Sequence, residues 1–520
     1  MSFYDEYKPL RDYMQRFDLL TSLIDVWCYS LNIIENQPLP AGYAVGLDST
    51  KMGPLKDHVY PWDLDVLAKE IVLNSGSDKH YSLRWWNDLA NAVNHLRHLD
   101  GAAFLLSDSP QDDVMLELHR IAHRQFPWQM SMGANPMIRA FKVFGEAAVE
   151  TIVERELGMT TRQFLQLGMA VSGHFISGWG MSTNQDYEVL GITPEASSRF
   201  FSRITCTLTQ LKIDTAKHQS YDRNWLYTWN PLEATPLISF DSQFPDRVIC
   251  PIPRYLLRRA SAGIFYDLVK SADFDNPFGN SFQTYVGEVT RAFCRPPKFS
   301  ASPEEPYYVG GNKMHGVDWI ISDESGHIFI ESKTKRLTLN SRILPNTVTL
   351  DNDLAIMATA IVQHYRNIRD AIDGKTKWKP DGLPIFPLVL TLEDWFIFSP
   401  RVTEMLNKHV RRKLAEAQIR ENVLDEMPYT IASAHEFEIA IQIIAQLNIC
   451  LVMSKKIGGD QRMWSLLPFI MNEFKEQMRS VDRFLFAADW ETLMPQMPDG
   501  TTFDSLRRAS SNPPTTGASG

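Results

Sequence analysis

The sequence predicts a mixed α+β / α/β protein. A large, mainly helical region over residues 1–262 is followed by a three-layer α/β unit with a mixed sheet over 263–450. Helices over 451–496 and a disordered tail over 497–520 complete the chain. Three observations carry this expectation. Apolar residues recur at helical spacing through the first half, and short β-rich runs bounded by turn residues begin only near residue 263. The last stretch is dominated by Ser, Thr, Pro and Gly, a composition that cannot bury a core.

The elements follow in order. Ile138, Phe141, Phe144, Ala147, Val149, Ile152 and Leu157 keep helical spacing, Gly158 offers a stop, and Thr160-Thr161 a new N-cap for Phe164 to Val171. Pro231, Pro236, Pro245, Pro251 and Pro253 predict an irregular connection. Asn280 to Phe293 reads as a helix burying Phe282, Tyr285, Val289 and Phe293. Val317–Ile321 and His327–Ile330, around Ser322–Gly326, read as a hairpin. Leu354–Ile372 reads as a helix, and Ile385–Leu392, apolar and flanked by prolines, as a buried strand. Met427–Ile431 is a further strand before a helix starting near Ser433.

Composition excludes several classes. With 520 residues, 44% hydrophobic and 22% charged, the chain can build a sizeable core. A net charge of −10 excludes coating nucleic acid by bulk charge, while leaving room for a local basic groove. The N-terminus MSFYDEYKPLRDY has no apolar signal region, and the most apolar stretch, Ile439–Met453, is broken by Gln442, Gln446 and Asn448. A cytoplasmic protein without a membrane span is expected. Cys28, Cys206, Cys250, Cys294 and Cys450 are far apart with no CxxC pair, which fits reduced thiols.

The chemistry-bearing feature is Asp318 followed by Glu331-Ser332-Lys333. Two carboxylates and an ammonium at the ends of adjacent hairpin strands can converge on one point. Hard oxygen ligands suit Mg²⁺ or Mn²⁺, and such an ion can polarise a phosphodiester. Lys333, two residues after Glu331, points to the same strand face, placed to assist a water or neutralise developing charge. Glu6-Tyr7-Lys8 and Glu473-Phe-Lys475 also fit a Glu-x-Lys spacing, and Asp460 precedes Glu473 by the same separation as Asp318 precedes Glu331. Only the 318–333 set has a strand-turn-strand setting, since Glu473 lies in a helical pattern. The bland reading is a surface hairpin with a cross-strand salt bridge.

At these residues the chain resembles the PD-(D/E)xK, or restriction-endonuclease-like, phosphodiesterase superfamily. The resemblance covers roughly residues 265–450, with Asp318 as first acid and Glu331-Ser332-Lys333 as the ExK element. Val317 stands where the motif's proline would be. The resemblance implies a restriction-endonuclease-like core, Asp318, Glu331 and Lys333 as catalytic residues, and Mg²⁺ or Mn²⁺ held by Asp318, Glu331, Ser332 through its carbonyl, and Glu288 on the preceding helix. For Glu288 the plainer reading is an exposed charge near Arg291. Gln363 and Tyr365 loosely resemble a glutamine-tyrosine element of some relatives.

Positive charge gathers around this motif: Lys333, Lys335, Arg336 and Arg342 against Glu331, and a second basic run over 401–420 containing Arg411 and Arg412. Lys335, Arg336, Arg342, Arg411 and Arg412 are the expected phosphate contacts. His119 and His123, at i and i+4, read as ordinary histidines because no third ligand is near in sequence. Trp85, Trp86, Trp179 and Trp225 read as core aromatics.

The function expected is a divalent-metal-dependent nuclease cutting DNA, with structured RNA such as tRNA as the other candidate substrate. The alternative is a catalytically degenerate nuclease fold that binds nucleic acid or acts as a scaffold. A nuclease joined to a large helical module resembles single-protein effectors of bacterial antiviral defence. That resemblance implies a helical region sensing a trigger such as a phage protein. A homodimer is the candidate assembly.

Overall fold

Capping residues set most helix boundaries in the first part of the chain. The computed structural model describes residues 2–105, 110–130, 134–303, 305–343, 348–482 and 484–494, so the tail expected over 497–520 lies outside the described residues. Helix Phe3–Met14 opens on a Ser2/Asp5 capping box, and Leu19–Glu35 on the carboxylate of Asp18. The periodic run from Ile138 to Leu157 forms two helices, Ala134–Phe144 and Ala147–Leu157. The Glu146 side chain accepts the Ala148 amide and starts the second. Gly158 ends it at φ 75°, a left-handed conformation suited to glycine, and a Thr160/Gln163 capping box opens Thr161–Ser177.

The chain forms two compact units. One comprises Met1–Asp108, Arg124–Phe274 and the chain from Phe484; the other comprises Ser109–His123 and Asp275–Arg483. The first unit is mainly helical, as expected, but also carries a four-stranded sheet in the order Gly180–Ser182, Arg247–Ile249, Leu237–Ser239, Thr205–Thr207. These strands have three residues each, too short for a period-2 pattern to reveal. Its core includes the buried Glu70 carboxylate, which accepts from Tyr7 Oη (2.7 Å) and Trp225 Nε1 (3.0 Å).

The second unit differs in extent from the 263–450 expected: it starts at Asp275, continues to Arg483 and recruits Ser109–His123. Long-range packing draws in that last segment. Leu116 packs against the cluster around Leu350 and Leu354, and Ser399 Oγ donates to the Met115 carbonyl at 2.6 Å. Such partners are invisible in local sequence.

Within this unit the chain runs α1 (Asp275–Phe293), β1 (Ser300–Pro303), β2 (Trp319–Asp323), β3 (Gly326–Lys333), α2 (Val348–Ile372), β4 (Ile385–Thr391), α3 (Pro400–Glu416), β5 (Thr430–Ser433) and α4 (Ala434–Gln446). The sheet order is β5-β4-β3-β2-β1. β1, β2 and β3 are antiparallel, while β3, β4 and β5 are parallel, giving a mixed sheet. One face is covered by α2, with Phe329 and Val389 packing against Ile368, Leu354 and Ile361, and α3 adds Leu406 and Val410 to the same cluster. The other face meets α1, where Trp319 Nε1 donates to the Gln283 carbonyl at 2.9 Å. A Cβ on Gly287 would lie 1.9 Å from Trp319 Cζ2, so only glycine allows this approach. Among the described residues no helix is long and apolar enough to cross a membrane.

Candidate active site

The hairpin register builds the site. Trp319 pairs with Ile330 and Ile320 with Phe329, and continuing that register sets Asp318 opposite Glu331. Residues directly opposite on antiparallel strands project from the same face. The join is closed by the Ser332 amide, which donates to Asp318 Oδ2 at 2.6 Å. Strand alternation puts Lys333 on that face as well, and its Nζ lies 2.6 Å from Glu331 Oε1. Asp318, Glu331 and Lys333 therefore meet at one end of β3, where Thr391 of the parallel β4 runs alongside Lys333. Carboxyl ends of parallel strands are where open sheets of this kind leave room for ligands.

Burial grades the site from inside to outside. The Glu331 side chain is only 7% exposed and that of Lys333 36%, so the carboxylate is walled in while the ammonium reaches solvent. Sequence reasoning missed one neighbour, His364 on α2. Its Nε2 is 2.9 Å from the Phe329 carbonyl and its Nδ1 is 3.8 Å from Glu331 Oε2. Burial, reinforced by the Lys333 charge, pushes the His364 pKa down to about 3 against the opposing Phe329 hydrogen bond, so the ring is neutral. The approach to Glu331 is thus not an ion pair. A signal was present: His364 interrupts the apolar stripe of Ile361, Tyr365 and Ile368 that α2 turns inward. The flanking residues do other work. Gln363 bonds Asn367, and Tyr365 donates to the Met427 carbonyl.

Glu288 lies on α1, the helix that packs on the opposite face of the sheet from α2, and among the described residues no group of three or more His, Cys, Asp or Glu is disposed to hold a metal. The two opposed carboxylates and the Ser332 carbonyl are hard oxygen donors, the kind of ligand that Mg²⁺ or Mn²⁺ takes.

The expected phosphate contacts divide. Arg336 is 7% exposed and bridges Glu393 at 2.9 Å, so this guanidinium belongs to the interior, contrary to its expected role. Arg342 reaches the same Glu393 at 3.3 Å. Lys335, half-exposed, pairs with the buried Asp353 at 3.3 Å. Burial alone would raise the Asp353 pKa, but hydrogen bonds from Ser341 and Thr338 and the Lys335 charge outweigh it and pull the pKa down. Arg411 and Arg412 stay exposed on α3, paired with the surface acids Glu421 and Glu416, pairs that contribute little, and Arg412 also donates to His409 Nδ1 at 3.2 Å.

The remaining candidates resolve as follows. His119 and His123 are packed inside, edge to face at 4.5 Å, with His119 Nε2 on the Ser341 carbonyl. Trp225 is a core residue as expected, whereas Trp85 and Trp179 are exposed by 58% and 43%. Glu473 ends helix Leu466–Glu473, with Lys475 beyond it, so that triplet has no strand setting. No protein family, curated protein or solved structure matches the chain.

Proposed function

We propose that this chain is a divalent-metal-dependent nuclease with a restriction-endonuclease-like core over α1 to α4. One observation carries the reading: Asp318, Glu331 and Lys333 share a sheet face and converge at the end of β3. Asp318, Glu331 and the Ser332 carbonyl would hold the ion. Once bound, a Mg²⁺ or Mn²⁺ ion supplies Lewis-acid polarisation of the phosphodiester and acidifies water.

The chain's own groups do the rest. Lys333 holds its proton at Nζ, 2.6 Å from the carboxylate it neutralises at rest. Its partial exposure lets the same ammonium orient a water or meet charge on the non-bridging oxygens. Water adds to phosphorus as the bond to the 3′-oxygen breaks, leaving a 5′-phosphate and a 3′-hydroxyl. Arg411, Arg412 and Lys335 supply sequence-independent phosphate contacts. Arg336, buried against Glu393, has no part in this scheme. DNA is the favoured substrate and structured RNA such as tRNA the next. The attached helical unit favours a regulated effector of antiviral defence, an argument from architecture.

The test incubates the purified protein with plasmid, single-stranded DNA and total tRNA in Mg²⁺, Mn²⁺ or EDTA, beside Glu331→Ala. Cleavage that needs metal and disappears in a folded Glu331→Ala protein is the expected result. Absence of product from every substrate, or cleavage that survives the substitution, overturns the reading.

A further inference from the structure

Helix Pro61–Asn74 of the first unit starts on a carboxylate with two partners. Asp63 Oδ2 accepts the Tyr60 amide at 3.0 Å, which caps the helix, and Arg97 Nη2 at 2.7 Å from helix Trp86–Leu105. Arg97 Nη2 also donates to the His58 carbonyl at 2.8 Å, and the guanidinium lies over the Tyr60 ring, 5.2 Å from its centroid. Tyr60 in turn stacks on Trp62, with centroids 4.9 Å apart and an interplanar angle of 25°. These groups line a cavity of about 460 Å³ in the first unit, with apolar walls from Val66, Leu96 and Leu226. That volume suits a small organic molecule.

Arg124 is the second cation on the wall. Its side chain is 12% exposed, and its Nε is buried with no hydrogen-bond partner among the described residues. The carboxylate paired with it, Asp100, is half-exposed and 3.9 Å away, beyond hydrogen-bond reach, and the Tyr227 ring at 5.9 Å adds a weak cation–π contact. A guanidinium so enclosed and so weakly compensated costs free energy until an anion meets it.

We propose that this cavity binds a small ligand with a planar ring and a phosphate, the chemistry of a nucleoside monophosphate. The ring lies on the Tyr60–Trp62 stack, which accepts any base face, and the phosphate takes parallel N–H donors from Arg124 with support from Arg97. The site belongs to the first unit, so the inference does not rest on the nuclease reading.

The test titrates the full chain, in EDTA so that no metal recruits phosphate elsewhere, with adenosine, guanosine, cytidine and uridine monophosphates. The parent nucleosides and inorganic phosphate are titrated in parallel, all by calorimetry. Expected is one-to-one binding of at least one monophosphate, about tenfold or more tighter than its nucleoside and than phosphate. Arg124→Gln and Trp62→Leu should each weaken it by a similar factor, with circular dichroism confirming that the variants fold, while Lys333→Met leaves it unchanged. If Arg124→Gln does not fold, Arg124→Lys replaces it, keeping the charge and losing the paired donors. No binding of any monophosphate overturns the proposal. So does binding that survives both substitutions, binding that Lys333→Met abolishes, or phosphate that binds as tightly as the nucleotide.

Discussion

Lys333→Met separates what the site does for folding from what it does for chemistry. The substitution keeps the aliphatic stem and removes the ammonium 2.6 Å from Glu331 Oε1. Breaking a buried ion pair from one side costs roughly 3–5 kcal/mol. The Lys333 end is 36% exposed and screened, which brings the expected loss to about 2 kcal/mol. Glu331→Gln removes the buried charge instead and leaves the ammonium near solvent, so its loss should be about 1 kcal/mol or less. Combining the two should restore stability to near the Glu331→Gln level, a coupling of roughly 1–2 kcal/mol in a double-mutant cycle. Urea denaturation followed by far-UV circular dichroism measures the cycle, and cleavage of the active substrate is assayed in parallel. All three variants should be inactive, including the stability-restored double mutant. Additive stability effects would refute the pairing, and substantial cleavage by Lys333→Met would refute its chemical role.

Gly287→Ala should destabilise the protein by about 1–3 kcal/mol, because its Cβ cannot coexist with Trp319 Cζ2 at 1.9 Å. It should also weaken metal binding, since Trp319 adjoins Asp318; unchanged melting and unchanged affinity would count against this packing argument. Acid should destabilise the second unit through His119, whose pKa burial pushes down to about 4 from an ordinary 6.5. Between those values the unfolded chain binds a proton that the folded chain refuses, so stability is intact above pH 6.5. It falls by about 3 kcal/mol on the way to pH 4. His119→Gln should flatten this acid limb in a pH series of urea melts, and an unaltered slope would contradict it.

Much of the second unit's architecture was legible in sequence for local reasons. The apolar runs and turn residues specify β2, β3 and β4, and Ser433 with Glu436 forms the capping box that starts α4. The three-residue strands of the first unit were not legible, because they hold too few residues to display a period. Nor was the fate of Arg336. The sequence shows a cation beside a basic run, but burial against Glu393 depends on where residues 57 positions apart come together.

The sequence by itself determined which residue types could do chemistry and on which strand ends they stand, since alternation along β3 alone aligns Glu331 with Lys333. Tertiary structure decided which of the candidates actually meet. Hairpin register set Asp318 against Glu331, and the packing of α2 brought in His364. The physical reason is that periodicity fixes the direction of a side chain within its own element. Its partners depend on how distant elements bury their apolar faces against one another.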